Sequence, residues 1–153
     1  MKTMDKLAAV AAKHGMPWRL GKFGTFDPVH GHHVKTCADL EHEIGHWLVA
    51  PPSRRMMLNF GLGRQASPGL GAGSLVNDQR ALREERWAAL IECALLYECG
   101  YPRWRLNIRE HAAFNVALDM TNIRQAMRAV VRRGLVSPST AKVLLVATVD
   151  SDG

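Results

Sequence analysis

Residues 41 to 47 read EHEIGHW, and the H-E-x-x-H pattern in this stretch is the feature that most constrains the fold. Each residue of a helix advances about 100°, so His42 and His46 lie one turn apart on the same face. Their imidazoles can converge on one metal ion, which is the known use of this pattern. Zinc and iron sites in enzymes normally take three protein ligands. The fold must therefore bring another part of the chain against this helix face.

The motif helix is predicted to run from about residue 35 to residue 50, because Pro51 and Pro52 cannot continue it. The histidines are expected to face a cleft, away from the core. A glycine inside a helix costs about 1 kcal/mol relative to alanine, so Gly45 indicates close packing or close approach. The helix also carries an apolar stripe on the side opposite the histidines, formed by Cys37, Leu40, Ile44, Trp47 and Leu48.

Periodicity and turn residues predict the remaining elements. Gly100, Pro102 and Gly134 act as helix stop signals. KVLLVATV near the C-terminus is β-branched and apolar, and is predicted as a strand. Residues 1–153 are thus expected to form one α+β domain, mainly helical, with a small sheet and a zincin-like arrangement around the motif helix. The other predicted segments are helices over about 3 to 14, 78 to 98 and 122 to 133, and an extended stretch over 17 to 28.

Residues 59–79 contain five glycines and one proline and show no periodicity, which predicts a loop. A loop of this length often acts as a lid over a site. No G-K-[ST] follows its glycines, so a phosphate-binding loop is not indicated.

The second long helix offers three candidates for the third metal ligand: Glu84, Glu85 and Glu92. Glu85 and Glu92 lie seven residues apart and share a face with small alanines, which would allow a close approach to the motif helix. Glu84 points about 100° away from that face.

Several polar and aromatic residues elsewhere have competing interpretations. The histidines of the segment VHGHH are alternative ligands or substrate contacts, His33 among them, although such a loop cluster is more often solvated. Asp39 could orient a ligand imidazole. The tryptophans at 47, 87 and 104 are expected to pack in or beside the core.

The net charge of +6 favours acidic partners. An acidic protein is the favoured partner and nucleic acid is less favoured, because no nucleic-acid module accompanies the charge. A solvated basic surface is the simpler alternative. Part of the excess charge recurs at near-helical spacing, at Arg124, Arg128, Arg132 and Arg133.

Three cysteines at no zinc-binding spacing suggest a reducing, cytoplasmic environment. The N-terminal apolar stretch is too short and too interrupted by charge for a signal peptide. No run approaches the roughly 20 apolar residues that cross a bilayer, so no membrane association is expected.

The stretch HEIGHW, followed by Ala50, the pair Arg54 and Arg55, and then Phe60 and Gly61, resembles the pattern of the bacterial elongation factor P hydroxylases. The resemblance extends over about residues 40 to 102. It includes a glutamate some fifteen residues before a Gly-Tyr-Pro triplet, the position that Glu85 holds before residues 100–102.

This resemblance implies a site of two histidines and one carboxylate, the set typical of iron that activates oxygen. His42 and His46 would be ligands, with Glu85 as the third and Glu43 beside the metal. Arg54 and Arg55 would contact substrate. The implied reaction is hydroxylation of a modified lysine side chain on a translation factor, with Fe²⁺ as the favoured metal.

Two other classes of function remain open. In a zinc metallopeptidase, the same ligands would hold Zn²⁺ while Glu43 takes a proton from bound water. Glu85, however, lies 39 residues after His46, which is a long gap for such an enzyme. The other class is a non-enzymatic basic adaptor that binds nucleic acid or an acidic protein.

Overall fold

The computed structural model describes residues 3–62, 78–102, 104–105 and 123–150, and helices dominate this part of the chain. It is a single small domain of α+β type, as predicted. The helices are α1 (Thr3–Lys13), α2 (Cys37–Val49), α3 (Pro52–Arg55), α4 (Asp78–Glu98), α5 (Ile123–Arg132) and α6 (Pro138–Asp150), with a 3-10 turn at Leu58–Gly61. The strands are β1 (Trp18–Leu20), β2 (Phe26–Asp27) and β3 (Gly31–Val34).

The motif helix α2 starts at a capping box. The Thr36 side chain accepts a hydrogen bond from the backbone N–H of Asp39, and the Asp39 carboxylate accepts from the backbone N–H groups of Lys35 and Thr36. The Asp39 carboxylate is engaged by the backbone at the helix start, and a role for Asp39 in orienting a ligand imidazole stays a prediction. The cap fixes the point at which α2 begins and hence the direction of its histidine face.

A three-stranded sheet contacts α2 through its central strand β3. Strand β1 pairs with β3 in parallel and β2 pairs with β3 antiparallel. His32 lies on this central strand and is only 2 % exposed, so the prediction of a solvated histidine loop is wrong at this residue. Pairing on both sides satisfies the backbone of β3 and lets the strand carry an imidazole into the interior.

Helix α2 packs between α1 and α4. On the α1 side, the Trp47 indole N–H donates to the carbonyl oxygen of His14 at 3.1 Å. Trp47 and Trp87 are 7 % and 8 % exposed, which confirms that both tryptophans pack in the core. Fully buried Leu40 and Ile44 belong to the same core, as the apolar stripe predicted. This packing leaves the histidine side of α2 facing α4.

The C-terminal segment forms the helix α6, so the predicted strand is wrong. Pro138 occupies its first turn, and the Ser137 hydroxyl accepts a hydrogen bond from the backbone N–H of Thr140 at 3.2 Å. Ala141 and Leu144 are buried at helical spacing. The helix start and this spacing outweigh the β-branched composition of KVLLVATV.

The other predicted helices are confirmed to within two residues at each end. Residues 63–77 of the predicted lid loop lie outside the described residues; its first residues belong to the 3-10 turn and its last two to α4. No helix among the described residues is long and apolar enough to cross a membrane.

Candidate metal centre

Helices α2 and α4 come into backbone contact at Gly45. A Cβ added at this glycine would lie 2.7 Å from the carbonyl oxygen of Ala88, well inside ordinary contact. Ala88 and Ala89 are small and buried, as expected for the face of α4 that approaches the motif helix. The close approach brings the histidines of α2 directly against the carboxylates of α4.

His42, His46 and Glu85 form the cluster at this contact. One ligand atom from each of the three lies within 4.8 Å of the other two. Nε2 of His46 is 3.2 Å from Oε2 of Glu85, and the two imidazole rings meet edge to face with centroids 4.7 Å apart. The structure thus brings together His42, His46 and Glu85, the three residues that were expected as ligands.

This donor set suits a divalent ion. Two ligands bound at about 2.1 Å to one ion lie roughly 3.0 to 3.4 Å apart, and the 3.2 Å between His46 and Glu85 falls in that interval. Two imidazoles and one carboxylate leave further coordination positions for water or substrate, as catalytic zinc and iron sites do.

The three candidate carboxylates of α4 have different partners. Glu84 points away from the face that Glu85 and Glu92 share, as predicted, and it pairs there with Arg54. Oε2 of Glu92 lies 3.6 Å from Nδ1 of His42. A histidine that binds a metal through one ring nitrogen commonly directs the other toward a supporting carboxylate. Among the three, Glu85 alone joins both histidines in the cluster.

The exposure of the cluster is uneven. The His42 side chain is 34 % exposed and that of Glu85 is 41 % exposed, whereas His46 is 6 % exposed. The expectation that both histidines face away from the core is therefore correct for His42 and wrong for His46. One side of the cluster is open to solvent and the other is enclosed.

Carboxylates around the cluster shift its proton equilibria. Burial alone would lower the pKa of His42, but the hydrogen bond and charge of Glu92, with two further carboxylates, raise it to about 9. Burial alone would raise the pKa of Glu85, but its hydrogen bond to His46 and the charges of both histidines lower it. The cluster attracts cations, and a metal ion would displace a proton from His42 on binding.

Glu43 lies beside the cluster and faces His32. Burial raises the pKa of the Glu43 carboxyl, and the charges of the two ligand histidines only partly oppose this effect. Its Oε2 is 3.5 Å from Nδ1 of His32, whose Nε2–H donates to the carbonyl oxygen of Arg55 at 2.7 Å. Burial lowers the pKa of His32, so Nδ1 of the neutral ring presents a lone pair to the Glu43 carboxyl.

Phe60 covers the enclosed side of the cluster. Its ring is nearly parallel to that of His46, with centroids 5.5 Å apart, and to that of His32, at 4.2 Å. Asn59 and Phe60 both have positive φ, at 50° and 54°, a conformation that residues with a Cβ rarely adopt. Such strained backbone is often found at functional sites.

The three predicted substrate contacts have internal partners in this structure. The Arg54 guanidinium is buried against Glu84 and the carbonyl oxygen of Phe60. Nε of Arg55 donates to the carbonyl oxygens of Trp47 and Ala50 at the end of α2. This is the helix-end role that adjacent arginines after a helix often take.

His33, on the central strand β3, belongs to a separate cluster with Asp27 and Thr25, outside the metal ligand set. Its Nε2–H donates to the carboxylate of Asp27 at 2.6 Å, and its Nδ1 lies 2.7 Å from the hydroxyl of Thr25. The backbone N–H of His30, together with the His33 side chain, lowers the pKa of Asp27 to about 2.

Sequence reasoning offered Glu92 and His32 as candidate metal ligands, and it did not predict the positions that His32, Phe60 and Glu92 take around the centre. His32 could have been recognised only from its place on a central strand, and Phe60 only from the turn that carries it. Glu92 was identified as sharing the face of Glu85, and that spacing was the available signal.

No known protein-family model, curated protein or solved structure matches this chain. The resemblance to elongation factor P hydroxylases therefore depends on the quoted residues alone.

Proposed function

We propose that this protein is a metal-dependent enzyme of the non-haem iron type that hydroxylates a protein side chain. The observation that carries the proposal is the cluster of His42, His46 and Glu85, whose ligand atoms lie within 4.8 Å of one another. Two histidines and one carboxylate are the ligand set typical of iron oxygenases. A bound Fe²⁺ would supply oxygen activation, with O₂ as the oxidant and an external two-electron reductant that converts the second oxygen atom to water.

We further propose that the fold places its metal in a zincin-like arrangement. In support, α2 carries both histidines, α4 packs against it at Gly45 and carries the carboxylate, and β3 borders the same region through His32. The ligands then come from two rigid helices, and this favours a site of fixed geometry.

The residues of the chain have distinct parts in this proposal. Glu92 would orient His42 through Nδ1, and Phe60 would shield His46 from water. Glu43, with its raised pKa, is suited to hold and release a proton beside the substrate. The exposed side of His42 is the direction from which a large substrate could enter.

The residue pattern shared with elongation factor P hydroxylases supports a substrate of the same class: a modified lysine side chain on an acidic translation factor. Such a substrate would place the protein in the cytoplasm. The exposed arginines Arg124, Arg128 and Arg132, called here the basic face of α5, supply charge that suits an acidic partner.

A zinc hydrolase is the second candidate, and the environment of Glu43 favours it. A largely enclosed carboxyl with a raised pKa, directly beside a H-E-x-x-H histidine pair, suits proton abstraction from metal-bound water. The ligands would be the same three residues. The two candidates therefore differ in the metal and in the need for Glu43.

The non-enzymatic adaptor remains as a third candidate, and its support is the basic face of α5. That face lies opposite the side of α5 that is buried through Ile123, Met127 and Val130. Binding that weakens with salt and does not change on metal removal would favour this candidate.

The metal content of anaerobically purified protein tests the proposal. We expect near-stoichiometric iron in the wild type, and its loss in His46→Ala and Glu85→Ala. His14→Ala and Glu98→Gln are matched controls, because both are exposed and lie outside the cluster; they should retain the metal. Iron bound equally well by all variants would refute the ligand assignment.

The identity of the metal and the role of Glu43 separate the two enzymes. Iron with metal-dependent oxygen consumption supports the hydroxylase. Zinc that depends on His46 and Glu85, with peptide hydrolysis abolished in Glu43→Gln, would replace it with the hydrolase. A wild type that binds no metal after reconstitution would refute both.

A further inference from the structure

Arg54 and Glu84 form a buried ion pair beside the metal centre. Arg54 is 5 % exposed and Glu84 is 3 % exposed. Nη2 of Arg54 donates to both carboxylate oxygens of Glu84, at 2.9 and 2.8 Å. Glu84 directly precedes the ligand Glu85 on α4, so this pair is tied to the same turn of helix that supplies the third ligand.

The second arm of the Arg54 guanidinium reaches the turn that carries Phe60. Nη1 donates to the carbonyl oxygen of Phe60 at 3.0 Å. Asn59 and Phe60 are both in the left-handed conformation, which persists in residues with a Cβ only where the surroundings hold it. The hydrogen bond from Arg54 is a buried contact that can hold this turn in place.

Phe60 connects this turn to the metal centre. Its buried ring stacks against His46 with an interplanar angle of 17° and against His32 with an angle of 20°. Parallel rings at this distance leave the His46 imidazole little freedom to rotate about its side-chain bonds. The orientation of a ligand ring is a property that neighbouring groups are known to control.

We propose that Arg54 is a positioning residue for the metal centre. With Glu84 it anchors the left-handed turn, and through that turn it holds Phe60 against the imidazole of His46. We name Arg54, Glu84 and the Phe60 carbonyl group the Arg54 clamp. The inference rests on the proposed function to the extent that His46 is a metal ligand.

The clamp gives Arg54 a role different from substrate contact. A guanidinium that is 5 % exposed and directs its two terminal nitrogens at Glu84 and a carbonyl oxygen is poorly placed to meet a substrate from solvent. In the clamp, loss of Arg54 alters the metal site itself, in the absence of any substrate. Cobalt binding measures that difference directly.

The experiment compares Co²⁺ affinity and the visible absorption spectrum of bound Co²⁺ in several variants. Removing one partner of a buried ion pair leaves an uncompensated charge, so the main variant is the double replacement Arg54→Met with Glu84→Met. Phe60→Leu removes the stacked ring and leaves the ion pair. Arg80→Ala is the matched control, because Arg80 also bonds Glu84, at 3.2 Å, but is 56 % exposed.

We expect the double variant and Phe60→Leu each to bind Co²⁺ roughly 10- to 100-fold more weakly, the usual effect of losing a group that orients a ligand. Both should shift the Co²⁺ absorption bands in the same way, and combining them should give little further loss, because they act through one contact. Arg80→Ala should match the wild type in affinity and spectrum.

Wild-type affinity and spectrum in the double variant would overturn the proposal, as would fully additive losses when Phe60→Leu is combined with it. If the double variant does not fold, Arg54→Lys decides: it keeps the charge but lacks the fork that reaches both partners, and an unchanged spectrum refutes the clamp. A wild type that binds no Co²⁺ would instead refute the metal centre, and the clamp with it.

Discussion

The contact at Gly45 predicts that Gly45→Ala weakens both the fold and the metal site. In an unhindered helix this change stabilises by about 1 kcal/mol, because glycine is the poorer helix former. Here the new Cβ would lie 2.7 Å from the Ala88 carbonyl oxygen, against 3.4 Å or more for ordinary contact, so the helices must separate by about 0.7 Å. Backbone is on the opposing side, so no side chain can rotate away.

Overpacking of this kind costs about 1 to 3 kcal/mol. After subtracting the gain in helix propensity, we expect Gly45→Ala to lower the free energy of unfolding by about 1 kcal/mol. The separation also acts on the ligands. Glu85 on α4 moves away from His46 on α2, so the three ligands hold one ion less well. Metal affinity should fall by about tenfold or more.

Urea unfolding of the metal-free protein measures the first effect, and competition with a chromophoric chelator measures the second. Ala9→Gly on the exposed face of α1 is the control for helix propensity, with an expected loss of about 1 kcal/mol and unchanged metal affinity. A Gly45→Ala protein that is more stable than the wild type and binds metal equally well would refute the close approach of α2 and α4.

Three further predictions concern protons, caps and salt. Because the pKa of His42 is raised to about 9, a metal ion must displace its proton, and metal affinity should rise about tenfold per pH unit between pH 7 and 9. In the metal-free protein the same proton stabilises the fold. This stabilisation is complete below about pH 6.5 and is lost as pH rises through 9. Ser137→Ala should cost about 1 kcal/mol by urea unfolding, because it removes the cap of α6. If the basic face of α5 binds nucleic acid, the logarithm of the binding constant falls linearly with the logarithm of the salt concentration. Replacing its three arginines by alanine should reduce the magnitude of that slope by about 2.7, or about 0.9 for each lost phosphate contact.

Each of these has an outcome that contradicts it. Metal affinity that does not change from pH 7 to 9 would show that no proton leaves His42 on binding. Equal stability of Ser137→Ala and the exposed control Ser53→Ala would remove the capping argument for α6. An unchanged salt slope in the triple variant would mean that the basic face of α5 makes no phosphate contacts.

The parts of the fold that sequence could predict depend on local signals. The capping residue Thr36 and the prolines after Ala50 bracket α2, and glycine stop signals set the ends of α4 and α5. The prediction for the C-terminal segment failed because the composition of this segment favours a strand, whereas Ser137 and Pro138 favour a helix start. Here the local start signal and buried helical spacing decided the outcome.

The site residues also differ in how far local sequence signals predict them. His42 and His46 are one turn apart on one helix, so sequence alone could pair them. The third ligand lies on a separate helix, and helical phase narrowed it to Glu85 or Glu92; only packing at Gly45 separates these two. The inward direction of His32 and the left-handed turn at Phe60 depend on long-range contacts, so no local pattern predicts them.

Adjacent glutamates on α4 serve two different partners, and this limits how the helix can change in length. Glu84 meets Arg54 and Glu85 meets His46 because successive residues are turned by about 100°. Inserting one residue between Arg54-bound Glu84 and His46-bound Glu85 would change the angle between them, so one of the two would lose its partner. An insertion or deletion between Glu85 and Glu92 would turn these two side chains onto different faces of α4, and Glu92 would lose its contact with His42. Length variation in relatives of this chain should therefore fall outside the segment from Glu84 to Glu92.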